Sequence, residues 1–118
     1  DINTLTDKLS VSGQIAANDL AILKQNGVTT IINNRPDDEA CEQPRSDALA
    51  AQAEKLGLAY YFIPVTPGHL LDADAVHMSK ILNESAGKVH AFCRSGNRSS
   101  LLWQRSQDLL RQTRIERC

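Results

Sequence analysis

The run Val28-Thr29-Thr30-Ile31-Ile32-Asn33 is β-branched and carries apolar residues on both of its alternating faces. A strand of that kind has no solvent face, so layers must cover it on both sides. Helices from the flanking chain can supply that cover. Leu20, Ile22 and Leu23 fall at helical spacing between Ala16 and Asn26, with Gly27 as the stop. Ser46 can cap a second helix running to Leu56, closed by Gly57. Tyr60-Tyr61-Phe62-Ile63 then reads as a strand, and Asp72 as the cap of a third helix with Ala73, Val76, Ile81 and Leu82 as its stripe. Lys88-Val89-His90-Ala91-Phe92 is a short strand, after which Ser99 to Leu110 is helical in pattern. Leu9 and Val11 alternate before Gly13 and predict one more strand, placed at an edge. Strands and helices therefore alternate with short links, the pattern of right-handed crossovers on a parallel sheet between helical layers.

A chain of 118 residues, 42% apolar, has material for one core and too little for two, so a single domain over residues 1–118 is expected. Thirteen basic residues face fourteen acidic ones, a net charge of -1, which gives the molecule no general pull toward nucleic acid or an anionic membrane. Anion affinity, if present, has to be local. No apolar run is long enough to span a bilayer. The chain reads as soluble and cytoplasmic, with a periplasmic location open should a leader have preceded Asp1. Cys41, Cys93 and Cys118 are odd in number and lack metal-ligand spacing, so a free thiol is expected and no metal or other cofactor.

Ligands of such sheets bind beyond the carboxyl ends of the strands. Three loops leave strands in that direction. They carry Arg35 with Asp37 and Asp38, then Thr66 to His69, then Cys93-Arg94-Ser95-Gly96-Asn97-Arg98-Ser99. The last places a thiol between a strand end and a helix start, where unpaired backbone N–H groups and the helix dipole stabilise an anion and a thiolate alike. Gly96 lets the loop turn its amides inward, and Arg94 and Arg98 add charge, Arg98 as a planar fork for two oxygens of a tetrahedral anion. Ser99 is placed to hydrogen-bond the sulfur. The expected ligand is a phosphate ester or another small oxyanion, bound by Arg94, Ser95, Gly96, Asn97 and Arg98 with Cys93 as nucleophile.

Together with Ile31-Ile32-Asn33-Asn34-Arg35-Pro36-Asp37, Gln43-Pro44 and Phe62-Ile63-Pro64-Val65, the segment Phe92-Cys93-Arg94-Ser95-Gly96-Asn97-Arg98-Ser99 resembles the phosphatase-like domain of the beta-lactamase-hydrolase-like family, a relative of dual-specificity tyrosine phosphatases. The resemblance implies a tyrosine-phosphatase-like α/β fold, a mostly parallel sheet of four to five strands flanked by helices. It also implies a phosphocysteine intermediate at Cys93 and phosphate coordination by Arg98 and loop amides. Two departures stand out. In tyrosine phosphatases the arginine stands one position further from the cysteine than Arg98 stands from Cys93. They also carry a general-acid aspartate ahead of the cysteine, where this chain has Val65-Thr66-Pro67. Asp72 or Asp74 could reach in as that acid, or serve only as helix cap and solvated charge. The short loop also resembles that of a rhodanese, which moves sulfane sulfur through a cysteine persulfide, although the rest of the chain does not. A non-catalytic phosphate or phosphoprotein sensor is the third reading.

Arg35 is placed to brace the Cys93 loop, to touch substrate, or to pair with Asp37 or Asp38. Cys41 reads as an ordinary loop thiol, with a resolving role as the alternative. His90 is expected to pack against the sheet and Trp103 to join the core, while Arg105, Arg111, Arg114 and Arg117 form a solvated face.

Overall fold

The computed structural model describes residues 2–117, with side chains through 113. Its elements are β1 (Asn3–Thr4), β2 (Leu9–Ser12), α1 (Asp19–Gln25), β3 (Val28–Asn33), α2 (Ser46–Lys55), β4 (Ala59–Phe62), α3 (Asp72–Glu84), β5 (Lys88–Phe92) and α4 (Asn97–Arg117). The five strands form one sheet in the order β1-β2-β5-β3-β4. All neighbours are parallel except β1, which pairs antiparallel with β2. The α/β architecture expected from the sequence is thus present, with one correction. β2 is not an edge strand, because Asn3 and Thr4 pair with Val11 and Ser10 and cover it. Two exposed residues carry no periodicity from which such a strand could be read.

The β3 run explains the layering. Ile31 and Ile32 are both fully buried but on opposite faces. Ile31 joins Leu20, Leu23, Leu49, Ala53 and Phe92, contributed by α1, α2 and the end of β5. Ile32 joins Ala75, Met78, Ile81, Ala91 and Leu102, so α3 and α4 cover the other face. Burial of a side chain of this size stabilises by about 1.5–3 kcal/mol. Both faces of β3 are needed for the two half-cores to form. Among the described residues no helix is long and apolar enough to cross a membrane.

Helix starts differ in detail from the sequence expectation. Ser46 is the first residue of α2, and its N–H is received by Asp37 Oδ1 at 2.8 Å, so the cap comes from the loop and not from Ser46. Asp72 opens α3 behind Leu71 and caps nothing with its side chain. Arg105 donates Nε–H and Nη2–H to Asp72 at 2.7 and 3.0 Å, which clamps α4 onto α3. Trp103 and Leu109 pack against the core that holds Leu102. Arg105 and Arg111 are paired with Asp72 and Asp108, while the side chains of Arg114 and Arg117, and Cys118, lie outside the described residues.

Candidate active site around Cys93

β5 ends at Phe92 and α4 starts at Asn97, so Cys93 to Gly96 form the strand-to-helix turn. The turn is held from the side by the end of β2. Cys93 N–H donates to Ser12 O at 3.3 Å and Gln14 N–H donates to Arg94 O at 3.4 Å. Two glycines make this approach possible. A Cβ on Gly13 would sit 2.9 Å from Arg94 O, and one on Gly96, whose φ is +92°, would sit 3.3 Å from the Ser12 carbonyl. With that backbone, Gly96 donates its N–H to Cys93 Sγ at 3.1 Å. A Gly96→Ala change is expected to cost about 1–2 kcal/mol from left-handed backbone strain alone. It should also raise the Cys93 pKa, which denaturant melts and a thiolate titration would register separately.

Cys93 is a free thiol with no exposed surface. Burial pushes its pKa up, yet the N–H groups of Ser99, Ser95, Gly96 and Arg98 outweigh that effect and hold the thiol below its ordinary value. Burial therefore does not make this sulfur a packed small hydrophobe, since the groups around it are donors. A cleft of about 260 Å³ beside the turn is lined by Ser12, Gly13, Gln14 and His90, and Cys93 does not open into it.

Arg98 is engaged on one edge. Its Nη1 donates to Glu39 Oε2 at 2.7 Å and to Val65 O at 2.8 Å, and its Nη2 donates to Glu39 Oε1 at 2.8 Å. The Cys93 thiolate lies close enough to favour the charged guanidinium, after Glu39, which is the main cause. Arg35, 5% exposed, donates Nε–H to the same Glu39 Oε1 at 3.0 Å and Nη1–H to Gln14 Oε1 at 2.9 Å. Hydrogen bonding to Arg98 holds the Glu39 carboxyl below the usual range, with Arg35 adding to it. Arg35 therefore braces the Cys93 loop at one remove, through Gln14, and its ion pair is with Glu39. Asp37 and Asp38 pair instead with Arg45.

Of the other expected site residues, Arg94 points to solvent and contributes its carbonyl to the contact with Gln14. Ser95 Oγ receives the Asn97 N–H at 3.4 Å at the start of α4. Ser99 is turned differently from expectation. Its hydroxyl donates to Asn34 Oδ1 at 2.9 Å, and only its backbone N–H serves the sulfur. Asp72 is exposed and engaged by Arg105, and among the described residues no contact carries it or Asp74 to Cys93 or Arg98. Cys41 is exposed and free. No group of metal-ligating side chains occurs among the described residues.

Sequence reading missed three residues: Gln14, Asn34 and Glu39. Asn34 is fully buried. Its backbone N–H donates to Phe92 O at the end of β5, while its side chain joins the residue after β4 to α4, Nδ2 donating to Ile63 O and Oδ1 receiving Ser99 Oγ–H. Asn34→Ala would leave the Ile63 carbonyl and the Ser99 hydroxyl without partners, and about 2–4 kcal/mol of stability is expected to be lost in denaturant melts. The signal for Glu39 was present as an acid four residues after Arg35, in a loop leaving a buried strand toward the same rim.

The profile of the family described as beta-lactamase hydrolase-like protein, phosphatase-like domain, matches residues 1–110. The chain belongs to that family. A beta-lactamase hydrolase-like protein of Xylella fastidiosa is 36% identical to this phosphatase-like domain over 107 residues, 91% of this chain and 24% of the relative. One of Agrobacterium fabrum is 32% identical over 99 residues, 84% and 23% of the two chains. The chain thus spans about a quarter of the length of these curated relatives. Among solved structures, a protein of Neisseria meningitidis described as a candidate phosphatase superposes with a TM-score of 0.79 at 33% identity, covering 86% of this chain and 72% of that one. The sheet and helices belong to the tyrosine-phosphatase-like class seen in further neighbours of lower identity, which share the fold.

Proposed function

We propose that the domain is a cysteine-dependent phosphatase-type hydrolase acting on a phosphate ester or a similar small oxyanion, with no nucleic acid and no membrane as partner. Cys93 Sγ attacks phosphorus, the P–O bond to the leaving group breaks, and a phosphocysteine forms. Water then breaks the P–S bond, releasing phosphate and restoring the thiolate. The four backbone N–H groups around Cys93 carry this reading. They support an ionised sulfur at rest, and they would stabilise the equatorial oxygens of the transferred group together with the edge of Arg98 that Glu39 leaves free. Glu39 is the one carboxylate in contact with Arg98 among the described residues, and it is held ionised. In this reading the leaving group departs without a protein acid, which favours esters of acidic alcohols such as aryl phosphates. The test is acid-quenched mass spectrometry of the protein mixed with an aryl phosphate. A phosphoryl adduct on Cys93 is expected, and turnover without one, or equal turnover by Cys93→Ser, would remove the proposal.

A second reading is favoured by the short turn and by Arg98 meeting, among the described residues, no acid other than the ionised Glu39. The Cys93 thiolate would attack the sulfane sulfur of thiosulfate and form a persulfide, sulfite leaving as its own stable anion with no proton needed. An adduct of about 32 Da on Cys93 after thiosulfate treatment would select this reading, and its absence would exclude it.

A further inference from the structure

Glu39 stands where the anion-binding charge of the site is concentrated. Its carboxylate takes both Nη groups of Arg98 at 2.7 and 2.8 Å and the Nε of Arg35 at 3.0 Å, so neither guanidinium meets an incoming anion with its charge uncompensated. Two cationic side chains face one carboxylate and one thiolate, and Arg94 is exposed outside this quartet. The placement is built rather than incidental. Asp38 adopts φ +66°, a left-handed conformation that turns the chain immediately before Glu39. Gln43 then staples the loop, its Nε2 donating to Pro36 O at 2.8 Å and its Oε1 receiving the Ala40 N–H at 3.1 Å. Glu39 and Arg98 are only 19% and 12% exposed, so water screens the pair weakly.

We propose that Glu39 is the charge-selecting residue of this site, admitting transferred groups that carry a single negative charge and disfavouring dianions. The proposal rests on the reading that an anion sits against the Cys93 turn and Arg98. It has a chemical consequence for phosphate esters. A singly charged monoester keeps one P–O–H proton, which can pass to the leaving oxygen as the P–O bond breaks and the S–P bond forms. The substrate then brings the proton that the protein does not supply. A dianionic ester has no such proton, and Glu39 opposes its extra charge.

Sulfate and perrhenate separate charge from shape, both being tetrahedral and neither titrating near neutral pH. Each would be titrated into the ¹⁵N-labelled protein at constant ionic strength, with the Ser95, Gly96 and Asn97 amide shifts as the readout. The native protein is expected to bind perrhenate more tightly than sulfate. Glu39→Gln is expected to tighten perrhenate about tenfold and sulfate about a hundredfold, because the dianion feels the removed charge twice. Glu39→Asp, which keeps the charge, is expected to keep the native order of the two anions. Unchanged or weaker sulfate binding by Glu39→Gln, or a Glu39→Asp protein that behaves like it, would overturn the proposal and leave Glu39 as an anchor for Arg98. If neither anion shifts these amides in any of the three proteins, the anion seat itself is absent, and the reading beneath the proposal falls with it.

Discussion

Cys93→Ser is expected to lower turnover of an aryl phosphate by at least about 10³-fold while leaving the fold intact. The hydroxyl that replaces the thiol has a far higher pKa, and the four N–H groups that favour a thiolate are too weak to ionise it. The change is close to isosteric at a site with no exposed surface, so packing around Phe92 and Ser12 should persist. Steady-state kinetics with a thermal melt as control would measure both halves of this expectation. Arg98→Lys is the informative companion. A lysine retains the charge beside the sulfur but cannot present a fork to Glu39 and a second edge to the substrate, so activity should fall even though charge is conserved.

Acidification is expected to remove about 3 kcal/mol of stability through His90 alone. This histidine is fully buried in β5, and burial lowers its pKa from 6.5 to about 4. Its Nδ1 lies 2.7 Å from Ser10 Oγ and its Nε2 lies 2.8 Å from Ser12 Oγ. Ser12 Oγ–H already donates to Gly13 O at 2.8 Å, which leaves the Ser12 oxygen as acceptor. The ring is therefore neutral with its proton on Nε2, and Nδ1 accepts from Ser10. Above pH 6.5 the ring is neutral in both the folded and the unfolded chain. Between 6.5 and about 4 only the unfolded chain binds the proton, so stability falls through that window, by about 1.4 kcal/mol for each unit of difference. Urea melts across this range, compared with His90→Gln, should show the excess slope in the native protein. Parallel slopes would mean that the ring is not held neutral.

Much of this architecture was legible in the chain because burial on two faces leaves an unambiguous mark. Val28 to Asn33 is such a run, and the alternation of Lys88 to Phe92 matches β5 to the residue. The turn at Cys93 was equally visible, since core packing alone does not call for a thiol, a glycine and two arginines together between a strand and a helix. What stayed hidden lies in tertiary contact. Asn3 and Thr4 form a strand only because Val11 and Ser10 present an open edge to them. Asn34 reads as loop polarity until Ile63, Phe92 and Ser99 are seen converging on it. Glu39, one acid among several in its loop, is singled out only by a left-handed Asp38 that aims it at Arg98, whereas Asp72 has a helix-start position that sequence rules notice and an ion pair with Arg105 that they do not.

The chemistry of the turn depends on inward-pointing backbone amides that favour an ionised Cys93 sulfur. Thiolate absorbance in the ultraviolet, followed against pH for the native protein and for Cys93→Ser, isolates that sulfur by difference. A Cys93 thiolate that forms below the ordinary thiol range of about 8.5 is expected. A difference curve centred at or above that range would contradict it, and with it the chemistry assigned to the turn.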